Sequence, residues 1–153
     1  MALIQKVCRI YTRTQQDSED MFQEIVIQLW KSYKTFKGES KFSTWMYRVA
    51  INTAISIHRK KQREVSIEFV DTPLNNFKTD NDQKIENEKL AQLYNAISIL
   101  TEIDKAIIML YLENTSYEEM ELIIGLQQNN LRVRMNRIKE KLRKHMQAMN
   151  YEY

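Results

Sequence analysis

The sequence predicts an all-α protein: two small helical domains joined by a flexible linker. Three observations carry that expectation. Only two glycines and one proline interrupt 153 residues, so few positions break a helix. Apolar residues recur at three- and four-residue intervals in both halves, the period of a helix with one buried face. Between the halves, from about Glu64 to Lys84, that period lapses. The stretch holds Pro73, Asp71-Thr72, Asn75-Asn76 and Asp80-Asn81-Asp82, residue types that favour turns and solvated coil. The expected division is 1–63, a linker over 64–84, and 85–153.

Near the N-terminus Val7, Cys8 and Tyr11 share a helical face, which makes the single cysteine a small buried hydrophobe. A helix is expected from Asp17 to Tyr33, capped by Asp17 or Ser18. Phe22, Ile25, Val26 and Leu29 form its apolar stripe, with Gln23, Glu24, Ile27 and Lys31 turned elsewhere. Residues 34–41 contain Gly38 and read as a turn. A second helix follows from about Ser43 to Lys61, with Trp45, Met46, Val49, Ala50, Thr53 and Ile57 facing inward.

Beyond the linker, Leu90, Leu93, Ile97 and Leu100 mark a helix over 85–100. Thr101 with Asp104 has the spacing of a capping box opening a helix through Ile107, Ile108, Leu110 and Tyr111. Ser116 with Glu119 forms a second box, starting a short helix that stops at Gly125. The last helix is expected from about Asn129 to Met146.

Composition excludes several classes. A lone cysteine rules out an internal disulfide and fits a reducing cytosol. No apolar run reaches membrane-spanning length and no signal-peptide pattern opens the chain, so a cytoplasmic protein without membrane insertion is expected. His58 and His145 share no metal-ligand spacing with Cys8, and no glycine-rich phosphate loop occurs. Catalysis and a bound cofactor therefore have little support. A net charge of +3 hints at a polyanionic partner.

The segment Ser116 to Lys144 reads as a helix-turn-helix, a short capped helix, a glycine turn and a longer basic helix. Leu131, Met135, Ile138 and Leu142 define the buried stripe of the last helix. At 100° per residue the opposite side carries Val133, Asn136, Arg137 and Glu140, flanked by Arg132 and Arg134. Arginine and asparagine make paired hydrogen bonds to base edges in the major groove. From Arg132 to Lys144 one acidic residue stands against seven basic ones, unlike an ordinary mixed-sign surface.

A second basic surface lies on the Ser43 to Lys61 helix, where Arg48, Asn52 and Arg59 fall within about 40° of each other. Lys41, Thr44 and Tyr47 extend it toward the Gly38 turn. Cations beside aromatic groups suit single-stranded nucleic acid. On composition alone, a merely solvated face explains these cations at least as well.

The stretch Asp17-Ser-Glu-Asp-Met-Phe-Gln-Glu24, with Leu29-Trp30, Phe36-Lys-Gly-Glu-Ser-Lys-Phe42, Thr44-Trp-Met-Tyr-Arg48 and Asn52-Thr-Ala54, resembles region 2 of extracytoplasmic-function sigma factors. Leu100-Thr-Glu-Ile-Asp104, Ser116-Tyr-Glu-Glu119, Gly125 and Arg132-Val-Arg-Met-Asn-Arg137 resemble region 4 of the same family. The matches lie in the family's order and spacing.

The resemblance implies two helical modules that bring core RNA polymerase to promoter DNA. Asp20, Gln23, Glu24 and Ile27 would meet the polymerase. The Phe36 to Phe42 turn and Asn52 would accept a flipped base of the −10 element, with Lys41, Phe42, Arg48, Arg59 and Lys60 along the strand. Arg132, Val133, Asn136 and Arg137 would read −35 bases, while Asn130, Arg134 and Lys139 hold phosphates. An anti-sigma factor is a plausible further partner.

Three departures stand out. The first helix is expected to be shortened relative to the family. Glu121 occupies a position where that helix-turn-helix usually has a small residue, so its carboxylate must reach solvent or the helices must separate. Gln127 replaces the usual Ser-type cap. The competing reading is a helix-turn-helix regulator that binds duplex DNA without polymerase. A third is a pure interaction protein that titrates partners, against which the retained Arg132, Asn136 and Arg137 argue.

Overall fold

A computed structural model describes residues 2–65 and 84–150. Seven helices occur among the described residues, and no strand. The expected flexible linker falls mostly outside them; helix runs to Val65 on one side and from Lys84 on the other.

In the first half, α1 (Ala2–Tyr11), α2 (Gln15–Tyr33) and α3 (Phe42–Val65) pack against one another. Helix α1 buries Ile4, Val7, Cys8 and Tyr11, the face expected from periodicity. Burial pushes the Cys8 thiol up to about 11, so it stays protonated and unreactive at neutral pH. Helix α2 begins earlier than expected. Thr14, with extended backbone, caps it by accepting from the Asp17 amide at 3.1 Å. Asp17 sits instead in the first turn, where its carboxylate pairs with Lys61. The buried stripe is also rotated: Met21 and Ile25 are fully enclosed, whereas Val26 is exposed and Phe22 and Leu29 are half-buried.

In α3 the innermost residues are Ala50, Ile51 and Ala54; the two alanines are small enough to let neighbouring helices approach closely, and Ile51 fills the core between them. Trp45, Met46, Val49, Thr53 and Ile57 are only partly covered. The turn before α3 contains Gly38 at φ +71°, a conformation that favours glycine.

The second half comprises α4 (Lys84–Ser98), α5 (Glu102–Leu112), α6 (Tyr117–Ile124) and α7 (Gln128–Asn150). Helix α5 is its centre, buried continuously from Asp104 to Leu110. Thr101 accepts from the Asp104 amide, but the Asp104 carboxylate turns to Arg134, so the first expected box is half-formed. Ser116 accepts from the Glu119 amide and its own backbone N–H donates to the Glu119 carboxylate, which closes the second. The Glu119 carboxylate also reaches a partner outside its helix, described below. In α4 Ile97 is buried and Leu90 faces outward, and Leu100, just past the end of that helix, is buried too.

The halves meet. Helix α1 packs on α4 and α5, and α3 on α5 and α6, so one apolar core runs from Ile4 to Leu142. Tyr11 Oη donates to the Glu102 carbonyl at 2.5 Å, and Lys6 pairs with Glu113 at 2.6 Å. His58 Nδ1 lies 3.6 Å from the Glu102 carboxylate and is buried without a hydrogen bond. Burial, then the nearby Lys105 ammonium, hold His58 below its ordinary pKa.

Candidate nucleic-acid interface

Helix α7 is positioned from beneath. Leu131, Met135 and Ile138 are essentially inaccessible and Leu142 nearly so, as the three- and four-residue spacing requires. Helix α6 ends at Gly125, whose φ of +82° allows the sharp turn into α7. The face opposite the stripe is therefore presented outward: Arg132, Val133, Asn136 and Arg137 are all exposed, as is Asn130 on the first turn. An exposed valine among these donors suits the methyl group of thymine.

Several α7 cations are held by partners that local sequence does not reveal. The Arg132 guanidinium lies 4.9 Å over the Tyr117 ring. Arg134 donates to Asp104 at 2.8 Å, tying α7 to the start of α5, and its side chain remains 39% exposed. Lys139 sits over the Tyr111 ring and donates to its hydroxyl at 3.0 Å. Glu121 is half-buried and paired. Its carboxylate accepts from the Gln128 side chain at 3.2 Å, at the start of α7, where a negative group also suits the helix dipole.

The second surface is more open. Arg48, Asn52, Arg59 and Lys60 are exposed along α3. Arg48 and Lys60 have no ion-pair or hydrogen-bond partner among the described residues. Lys41 is exposed but pairs with Glu119 of α6 at 2.7 Å, which holds the ammonium above its ordinary pKa. Phe42 is half exposed at the edge of an aromatic group in which Phe36, Phe42 and Trp45 have ring centroids 5.1 to 5.8 Å apart and Tyr33 abuts Trp45. Thr44 and Tyr47 do not extend this face. Thr44 is buried and Tyr47 half-buried, because both turn toward the α5–α6 connection and line a cleft of about 160 Å³ with Glu113, Asn114 and Glu119. Contact between the halves overrides the helical-wheel placement.

On α2, Asp20, Gln23 and Ile27 are exposed and Glu24 is half-buried. Beside them runs an apolar strip that sequence reasoning missed: Val26, Trp30 and Tyr33 at four- and three-residue spacing, with Trp30 82% exposed. Such a strip marks a protein contact more often than a free surface. The available signal was the four- and three-residue spacing of Val26, Trp30 and Tyr33, which sets a second apolar line beside the one through Met21 and Ile25. Among the described residues no group of three or more His, Cys, Asp or Glu side chains has an arrangement suited to a metal ion, and no helix is long and apolar enough to cross a membrane.

The profile of the Sigma-70 region 2 family matches residues 1–64. The ECF RNA polymerase sigma-E factor of Escherichia coli K12 is 31% identical over 144 residues, spanning 87% of this chain and 75% of that protein. Its Haemophilus influenzae counterpart is 29% identical over 157 residues, spanning 94% and 83%. The fold is shared with the Bartonella quintana sigma factor RpoE, solved with the anti-sigma factor NepR, at TM-score 0.73, 19% identity and 94% and 89% coverage. It is also shared with CnrH, solved with the cytosolic domain of CnrY, at TM-score 0.67, 17% identity and 96% and 82% coverage. Resemblance, architecture and relatives agree: the chain belongs to the extracytoplasmic-function family of RNA polymerase sigma factors.

Proposed function

We propose that this sigma factor directs core RNA polymerase to promoters by dividing recognition between its two basic surfaces. Helices α6 and α7 take the −35 element as duplex. Arg132, Val133, Asn136 and Arg137 contact bases, while Asn130, Arg134 and Lys139 hold phosphates. The first half takes the −10 element, with Lys41, Phe42, Arg48, Asn52, Arg59 and Lys60 along the separated strand. Asp20, Gln23, Glu24 and Ile27 meet the polymerase, and exposed Trp30 extends that contact.

The observation that carries this reading is the α7 face. Its reverse side is fully buried and its outward side combines two arginines, an asparagine and a valine. That is the set of side chains that reads base edges in a major groove. The protein needs no catalytic group or cofactor of its own, since the polymerase performs the chemistry, and it works in the cytoplasm. One structural relative was solved with the anti-sigma factor NepR and the other with the cytosolic domain of CnrY, which supports an anti-sigma factor as a further partner here.

The test is promoter-specific transcription in vitro with core RNA polymerase and a genomic template library. Specific start sites that appear only when the protein is added support the reading. Tight sequence-specific binding by the protein alone, without initiation, would favour a regulator that works without polymerase. Within the assay, Arg137→Ala is expected to weaken −35 binding by about 1–3 kcal/mol while sparing polymerase binding.

A further inference from the structure

The two helices of the helix-turn-helix are joined by a pair of side-chain rungs on either side of the Gly125 turn. Tyr117 and Glu121 lie four residues apart on one face of α6; Gln128 and Arg132 lie four apart on one face of α7. The outer rung is the Tyr117 ring beneath Arg132, and the inner is the Glu121 carboxylate accepting from Gln128. Tyr117 is itself fixed. It follows the Ser116 cap directly and packs against the core, so its ring is a stationary platform.

Arg132 needs such a platform. An exposed arginine samples many rotamers, and ordering it on DNA opposes binding. A ring against one face of the guanidinium restricts those rotamers while leaving the N–H edges free, and these edges pair with guanine O6 and N7. We infer that Tyr117 is a positioning residue for sequence readout: it sets Arg132 so that one −35 base pair is read as guanine. The inference rests on the −35 reading proposed above and names a residue that reading does not include.

The experiment uses the full-length protein bound to core RNA polymerase and a duplex library with every base in turn at each −35 position. Arg132→Ala identifies the base pair that Arg132 reads. Tyr117→Leu and Tyr117→Met keep an apolar group against the core but remove the ring. Either is expected to lower preference at that same base pair by about two- to five-fold, with other positions unchanged. Tyr117→Phe keeps the ring and should retain the preference. Combined with Arg132→Ala, Tyr117→Leu should add nothing.

Equal weakening at all positions, no change, or an additive effect in the double variant would overturn the positioning role. Two non-aromatic variants are included in case one misfolds, which thermal unfolding and polymerase binding detect. If Arg132→Ala itself alters no preference, its base contact fails and the role of Tyr117 falls with it. If Arg132→Ala acts and the ringless variants do not, the positioning role alone is wrong.

Discussion

The two basic surfaces are built in opposite ways. On α7, Arg132, Arg134 and Lys139 each lean on a partner side chain, respectively Tyr117, Asp104 and Tyr111. On α3, Arg48 and Lys60 extend into solvent with no such partner among the described residues. The contrast fits the two targets proposed for them. A duplex offers groups at set spacing, so side chains already in place lose little freedom on contact. A separated strand is itself mobile, and cations free to follow its phosphates serve it better. On that proposed assignment, rigidity is placed where the ligand is rigid.

That comparison can be broken most directly at Asp104. Its side chain is nearly buried and holds Arg134, so Asp104→Ala removes a charged hydrogen bond and leaves the guanidinium half-covered. The expected loss of unfolding free energy is about 1.5–3 kcal/mol, measured by thermal or urea denaturation. A stability near wild type would mean the bracing is incidental. The Asn52→Ala variant should lower open-complex formation by about 1–2 kcal/mol, on the scale of one lost hydrogen bond, while initial docking persists; permanganate footprinting checks this. Normal melting of the promoter would remove Asn52 from the strand-binding surface.

A smaller effect is expected for Arg48→Gln. With no partner to lose, its stability should stay within about 0.5 kcal/mol of wild type, while promoter opening becomes more sensitive to salt. A clear drop in melting temperature would show that the open surface is braced after all. The smallest effect concerns the inward side of the same helix. His58 is held below its ordinary value, so below about pH 6.5 the unfolded chain takes up a proton that the folded chain refuses. Stability should therefore fall as pH drops from 7 toward 5.5, above the range where the carboxylates titrate. His58→Gln should flatten that slope.

The legibility of the sequence followed the same line. Features set within one helix were readable: the buried stripe of α7, the Gly125 turn, the Cys8 face of α1 and the outward set Arg132, Val133, Asn136 and Arg137. Features set by distant neighbours were not. Thr14 rather than Asp17 caps α2, and Lys61 holds Asp17 from 44 residues away. Thr44 and Tyr47 look like surface residues on a wheel, yet the second half covers them. The partners of Arg134 and Lys139 lie 30 and 28 residues earlier, beyond the reach of any local pattern. Glu121 looked misplaced because its partner Gln128 sits across the turn.

The ion pair between Lys41 and Glu119 joins the two surfaces proposed to recognise DNA into one thermodynamic system. A phosphate drawn to Lys41 competes with the Glu119 carboxylate for the same ammonium, and a loosened Glu119 alters the restraints on the short helix that carries Tyr117. By linkage, whatever favours occupancy of one surface shifts the other by the same free energy. The pair is exposed, so added salt weakens it. Cooperativity between the two promoter elements should accordingly fade as ionic strength rises, independently of the general loss of DNA affinity.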